Sequence, residues 1–378
     1  MPTAICDLLG IDIPVLAFSH CRDVVAAVTS AGGFGVLGAS SHSPEQLEQE
    51  LAWIDDQVGG RPYGADVLIP EKYEGKGQHL SPQALAERVP HQHRDFVRKL
   101  LAERGVELDE TAMTRPQRSL VGDEVGEQLL DVAFRHPIKL IANALGVPPP
   151  YMIDRARAAG VPVAALVGAK EHAVRQVRAG VDVIVAQGTE AGGHCGEVTT
   201  MVLVPEVIEA IAGIRPVPVL AAGGIVTGRP VAAAIALGAA GAWTGSVWLT
   251  TEEAETAPHT VQKMLAATAR DTVRSPGRTG KPSRQLRSAW TDAWDAPGGP
   301  DALPMPLQSF VSEPALRRVD VLAERGHPGA QELATYFVGQ GVGLMTRVRP
   351  AREVVREMAE DLLAATERLN AALGLDLP

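Results

Sequence analysis

Cysteine is scarce in this sequence: Cys6, Cys21 and Cys195 are the only three among 378 residues. None forms a C-x-x-C pair, which argues against a disulfide framework or a zinc ribbon and fits a reducing, cytoplasmic setting. Positive charge is in short supply as well. The chain has 35 Lys and Arg against 45 Asp and Glu, a net charge of −10, and such a balance repels phosphate backbones and argues against nucleic acid as a partner. No basic segment followed by an apolar one opens the chain, so no secretory leader is expected. Pro230 to Leu249 is uncharged over about a membrane's width, but Gly238, Gly241 and Gly245 break it and alanine dominates it. It reads as a buried helix followed by a buried strand, not as a membrane span. His91 and His93, two apart in a predicted helix, point to different faces. They read as surface residues, and no metal site is expected.

Glycine (38 residues) and a hydrophobic fraction of 46% are what the chain has in quantity. Apolar runs recur, most followed by a helix-like segment: 14–18 with 22–30, 34–37 with 44–57, 65–69, 138–143 with 149–159, 161–167 with 170–179, 181–187 with 204–214, 217–222 with 229–237, and 242–249, or part of it, with 252–267. Runs unbroken by polar residues suit parallel strands covered on both faces. Their alternation with helices gives βα units, and eight such units close into a (β/α)8 TIM barrel. Glycines at 160, 180 and 238 stand where helices stop and strands begin. Residues 1–270 read as the barrel. Residues 70–122 are a polar, mostly helical insertion after strand 3, either a lid over the catalytic face or a decoration that packs outside or joins two subunits of a homodimer. Residues 271–378 form an extension packed on the barrel, irregular over 275–343 and helical over 350–373.

Two glycine motifs are set aside. Gly33-Phe-Gly35-Val-Leu-Gly38 matches G-x-G-x-x-G, but a helix precedes it and a strand follows, the reverse of a dinucleotide fingerprint. Gly277-Arg-Thr-Gly280-Lys281-Pro282 carries proline where a phosphate loop needs Ser or Thr, and no strand is expected before it. Two other motifs sit where barrel enzymes bind phosphate, after strands 7 and 8. They are Ala221-Ala222-Gly223-Gly224-Ile225 and Trp243-Thr244-Gly245-Ser246, where glycine lets the backbone approach and free N–H groups attract an anion. A third, Gln187 to Gly196, is a polar glycine-rich loop at the end of strand 6, where catalytic groups are kept. Gln187 can hydrogen-bond a flat ring edge, and His194 can act as base or donor. Cys195 reads as a bystander.

The run Val185-Ala-Gln-Gly-Thr-Glu-Ala-Gly-Gly-His194, with Pro218 to Ile225, Ala236-Leu-Gly-Ala and Thr244-Gly-Ser, resembles the nitronate monooxygenase family. The segment Ser30 to Gly35 resembles that family's start of strand 2, and the likeness runs from about residue 10 to 270. It implies FMN as cofactor and no metal. Ala17, Phe18 and Ser19 would lie beside the flavin, with Asp66 near it, and Gln187, Gly192 and Gly193 about the ring. Gly223, Gly224 and Trp243, Thr244, Gly245 and Ser246 would hold the phosphate, and His194 matches the active-site histidine. Two departures stand out: Ala17-Phe18-Ser19-His20 replaces a Gln-Ala-Pro-Met-like turn, and Asp66 stands where asparagine is usual. An acidic group near flavin disfavours a negatively charged reduced ring. The resemblance implies oxidation of alkyl nitronates, or similar stabilised carbanions, by O2 to a carbonyl compound and nitrite. The alternatives are hydride transfer from NAD(P)H to a quinone or enoyl thioester, and a flavin-binding protein without turnover.

Overall fold

The computed structural model describes residues 3–78, 80–108 and 122–374. Eight parallel strands close a barrel in the order β1-β2-β3-β4-β5-β6-β8-β9. These are β1 (Val15–Ser19), β2 (Phe34–Gly38), β3 (Gly64–Asp66), β4 (Leu140–Asn143), β5 (Val163–Val167), β6 (Val183–Gln187), β8 (Val219–Ala222) and β9 (Gly241–Thr244). Three further strands, β7 (Gly193–His194), β10 (Thr272–Ser275) and β11 (Ser283–Leu286), form an antiparallel sheet in the order β10-β11-β7. The helices are α1 (Ala4–Leu9), α2 (Arg22–Ser30), α3 (Pro44–Val58), α4 (Pro82–Glu87), α5 (His91–Ala102), α6 (Asp123–Ala133), α7 (Pro150–Ala159), α8 (Lys170–Ala179), α9 (Thr200–Ile211), α10 (Gly228–Ala236), α11 (Pro258–Ala266), α12 (Ala289–Asp295), α13 (Leu307–Glu324), α14 (Pro328–Leu333) and α15 (Ala351–Leu373).

The two-residue period of a strand sorts side chains into two layers. Leu16, Phe34, Val36, Leu140, Ala142, Ala164, Val183, Val185, Leu220 and Trp243 fill the barrel interior, and α1 adds Ile5 and Leu9 to the same cluster. Val15, Ala17, Leu37, Ala65, Ile141, Ala165, Ile184, Ala186, Ala221 and Ala242 face the helices. A separate core joins α4 and α5 of the insertion to α12, α13 and α14 of the extension through Val97, Leu101, Trp290, Val311 and Leu316. Part of the 70–122 insertion, residues 79 and 109–121, lies outside the described residues.

The structure corrects several expectations. Strand 8 stops at Thr244, and Ser246–Thr250 is a 3-10 turn. Trp248 Nε1 donates to Thr244 Oγ1 at 2.9 Å, which holds that turn against the strand. The helix expected from 252 begins only at Pro258. The outer ring is completed by α15, which packs against both α10 and α2. Gly228 permits that approach: a Cβ there would overlap the Met358 carbonyl and Leu362 amide of α15. Asp361 of α15 accepts from the Arg229 N–H at 2.8 Å and so caps α10. His93 is not a surface residue. It is 4% exposed, and its Nε2 contacts the Asp301 carbonyl at 2.9 Å. A strand, β10, does precede Gly277–Pro282, but a second strand follows, so that segment is a hairpin connection. Among the described residues no helix is long and apolar enough to cross a membrane.

Candidate active site

The C-terminal ends of the barrel strands open into a cavity of about 1340 Å³. That exceeds the usual range of small-molecule sites, roughly 300–1000 Å³, and leaves room for a cofactor with a second molecule. The top inward-facing positions make its floor. Phe18, Leu166, Ala222 and Trp243 give it an apolar surface, with Phe18 stacked on Trp243 at 6.2 Å between ring centres. Asp66 of β3 and Gln187 of β6 are the polar members, three strands apart in the ring of eight. Such a floor suits a flat ring with hydrogen-bonding edges.

Backbone with free N–H groups, able to take an anion, lies to one side. Gly223 and Gly224 leave β8 with φ of 114° and 71°, values that L side chains rarely adopt. A Cβ at Gly223 would also stand 2.7 Å from Thr200 Oγ1. Opposite them, Gly245 precedes the Ser246–Thr250 turn, whose opening N–H groups have no carbonyl behind them. None of the hydrogen bonds among the described residues uses the N–H of Gly224 or Gly245. The extension closes this cradle: Ser246 Oγ accepts from Gly339 N–H at 2.8 Å, and Gly341 lines the cavity.

His194 sits on the short strand β7, paired with Ser283 of β11. The loop before it is tied down from both sides. Glu190 accepts from the Thr200 N–H at 2.9 Å, and Thr200 Oγ1 reaches the Ala222 carbonyl at 3.2 Å. Arg284 Nε donates to the Thr189 carbonyl at 2.7 Å. Nδ1 of His194 lies 3.4 Å from the Pro282 carbonyl, which can only accept, so this long contact favours hydrogen on Nδ1 and a lone pair on Nε2. Burial, with the Lys281 charge adding to it, lowers the His194 pKa to about 4 against the Pro282 contact. The imidazole is therefore neutral at physiological pH, able to accept a proton but carrying no positive charge.

Asp66 is 6% exposed, and burial raises its pKa to about 7. The sign follows from linkage. The unfolded chain ionises Asp66 from about 3.9 upward while the folded one resists until about 7, so the stability this group contributes is complete below pH 4 and is lost as pH rises to 7. Asp66→Asn is expected to raise the thermal midpoint of the flavin-free protein at pH 8 and to leave it unchanged at pH 4. Equal midpoints of wild type and variant at both pH values would refute the assignment.

Of the residues singled out from sequence, Phe18, Ser19, Asp66, Gln187, Gly192, Gly193, His194, Gly223, Gly224, Trp243, Thr244, Gly245 and Ser246 all line this one cavity. Ala17 does not: its side chain faces the helical layer, as parity with Phe18 requires. Thr244 lines the wall, but its hydroxyl is engaged, donating to the Leu16 carbonyl at 2.9 Å. Burial pushes the Cys195 thiol up, against the pull of Arg274 and Arg284, and so away from the thiolate. Sequence reasoning missed His20, Arg278, Lys281, Tyr336 and Phe337, which share the cavity. Arg278 stacks on Phe337 at 4.5 Å and pairs with Glu313 at 3.0 Å. Its Nη1 is buried without a partner among the described residues. A signal for His20 was present in the parity of β1, which turns Phe18 and His20 the same way. None existed for Arg278 or Phe337, which come from the irregular extension.

The comparisons agree with this geometry. A Mycobacterium tuberculosis protein named as a monooxygenase is 56% identical over 380 residues, covering 98% of this chain and 99% of that protein. A Staphylococcus aureus protein named as a probable nitronate monooxygenase is 26% identical over 369 residues, covering 94% of this chain and 96% of its own length. Among solved structures, nitroalkane oxidase from Streptomyces ansochromogenes superposes with a TM-score of 0.79 at 26% identity, over 97% of this chain and all of that one. FabK from Thermotoga maritima gives 0.70 at 25%, over 98% and 99%. The amide cradle beside an apolar floor with a free carboxyl and a free carboxamide fits FMN, phosphate at the glycines and ring on the floor. With the description "Nitronate monooxygenase" fitting residues 7–361, the chain belongs to the nitronate monooxygenase family and is an FMN-dependent oxidoreductase.

Proposed function

We propose that this enzyme oxidises alkyl nitronates, or similarly stabilised carbanions, with O2, giving a carbonyl compound and nitrite. The observation that carries the reading is His194: a neutral imidazole lining the same cavity as the apolar floor, with Arg278 and Lys281 in the same lining. FMN supplies the electron chemistry between carbanion and oxygen. Gly223, Gly224, Gly245 and Ser246 would hold its phosphate, and Gln187 and Gly192 would contact the ring region. Lys281 attracts an anionic substrate into a chain whose net charge of −10 would otherwise repel it, and Arg278, paired with Glu313, still offers its Nη1 as a donor. His194 takes the α-proton on its free ring nitrogen, Nε2, when the substrate arrives as the neutral nitroalkane. Phe337, 6.5 Å from the His194 ring, and Tyr336 beside it keep the wall apolar and limit water there.

The likeness to FabK favours a second reading, hydride transfer from NAD(P)H through the same flavin to a quinone or enoyl thioester. One anaerobic experiment separates them. The holoenzyme is mixed first with a preformed nitronate and then, in a fresh sample, with NADH or NADPH. The expected result is bleaching of the flavin by the nitronate, with colour restored and nitrite released when air is admitted. Rapid bleaching by NAD(P)H with none by nitronate would overturn the proposal in favour of the second reading.

A further inference from the structure

We propose that Asp66 works as an uncharged carboxylic acid whose O–H donates a hydrogen bond to the flavin ring seated on the barrel floor, so that the flavin is gripped by the acid form of the protein and released by its base form. The inference deepens the FMN assignment above and rests on it.

The geometry leaves this carboxyl one direction in which to find a partner. Gly64 and Asp66 alternate with Ala65, which faces the helices, so Asp66 points into the barrel at its open end. None of the hydrogen bonds or ion pairs recorded among the described residues uses its carboxylate, yet the residue is 6% exposed and lines the cavity. The elements packed against β3 offer it nothing. In β2 the register partner is Gly38, which has no side chain. In β4 the partners are Ala142 and its neighbour Asn143. The Asn143 amide is already committed, accepting from Ile69 N–H at 2.8 Å and donating to the Gly146 carbonyl at 3.4 Å. The turn over Ala39–Ser41 carries hydroxyls but no ionisable group, and the Ser40 hydroxyl accepts from Leu68 N–H at 3.0 Å.

Titratable groups on that side of the cavity do not neutralise it either. Burial lowers the pKa of His20, and its Nδ1 faces the Gly38 carbonyl at 3.0 Å, so it is a neutral ring. Glu71 pairs with Arg175 at 3.9 Å. Lys72 shares the wall but does not offset the burial of Asp66, which favours the protonated form. A carboxylate in such a place has lost its water and gained no cation, and such a group neutralises by taking a proton. Once protonated it presents one O–H donor and one C=O acceptor, the pair that a side-chain amide presents. The ring edge of a flavin carries carbonyl and imine acceptors beside an N–H, and so matches that pair. Seating the ring removes the remaining water, which moves Asp66 further toward its acid form. By linkage, affinity then falls as pH climbs past the value at which the empty site ionises.

The test is a fluorescence titration of FMN-depleted protein with FMN from pH 5.5 to 8.5, for wild type and for Asp66→Asn, which fixes the donor–acceptor pair without a titrating proton. Dividing one Kd by the other cancels titration of the FMN phosphate. The expected ratio, wild type over variant, is constant below pH 6 and rises about tenfold by pH 8.5. Riboflavin, which has no phosphate, gives the same readout in the wild-type protein alone: its Kd should climb over the same interval. Should the variant fold poorly, the riboflavin series still decides. A ratio and a riboflavin Kd that stay flat across the range overturn the inference while leaving the flavin site intact. Failure of both proteins to bind either flavin overturns the FMN assignment, and this inference with it.

Discussion

His194→Ala is expected to keep FMN bound and to lower turnover of a neutral nitroalkane by about 10²–10⁴-fold, the range that one positioned proton-transfer group contributes. Retention of the cofactor follows from where the side chain sits. The proposed phosphate cradle is backbone, at Gly223–Gly224 and Gly245–Ser246, and the floor belongs to other strands, so truncating the imidazole removes neither. The strand that carries it is held by backbone pairing to β11, which alanine preserves. The pH profile supplies a second readout. An imidazole lowered to about 4 stays a base throughout the neutral range and becomes protonated only as pH falls through 4. Wild-type kcat/KM on a neutral nitroalkane should therefore show no imidazole limb near 6.5 and should decline only toward pH 4. Unchanged kinetics in the alanine variant would remove His194 from the mechanism. A wild-type limb near 6.5 that vanishes in the variant would mean the ring is far better hydrated than its surroundings indicate.

Gly245→Asp is expected to raise the Kd for FMN about 100-fold while shifting the thermal midpoint little. Gly245 suits this test better than its neighbours across the cradle. Its φ is −136°, and a Cβ there meets nothing within 4 Å, so the fold accepts a side chain. Gly223, with φ of 114° and Thr200 in the way, would confound binding with strain. A carboxylate at position 245 stands among the N–H groups that would face the phosphate. Two unit charges 4 Å apart repel by about 1 kcal/mol in water and about 4 kcal/mol near a protein surface, which brackets a hundredfold loss. Gly245→Asn, equal in size and uncharged, is the control and should weaken binding far less. Equal losses in the two variants would show that shape, not charge, governs the position, and no loss in either would move the phosphate elsewhere.

Local chemistry made the barrel readable. Apolar runs separated by glycine helix stops are short-range signals, and Gly160 and Gly180 do adopt the left-handed conformation that ends their helices. Parity was readable too, though it was not applied to Ala17: if Phe18 points inward, its neighbour cannot. What escaped depends on partners distant in sequence. The two residues of β7 are a strand only because Ser283 and Arg284 lie beside them. The true length of strand 8 depends on where the Trp248 indole finds an acceptor. Arg278, Tyr336 and Phe337 reach the cavity through an irregular segment whose hydrogen-bond partners are scattered along the chain, and no periodicity marks such a segment. The extension therefore supplies a wall of the site as well as packing, which composition alone did not indicate.

The helix that completes the outer ring, α15, ends at Leu373 and rests against α2, which begins at Arg22. While the polypeptide is still being synthesised, every strand of the barrel can have left the ribosome before α15 exists. Until then the apolar faces of α2 and α10 lie bare to solvent along a seam between the beginning and the end of the ring. A chain cut before residue 351 would keep every strand of the barrel and leave that side open.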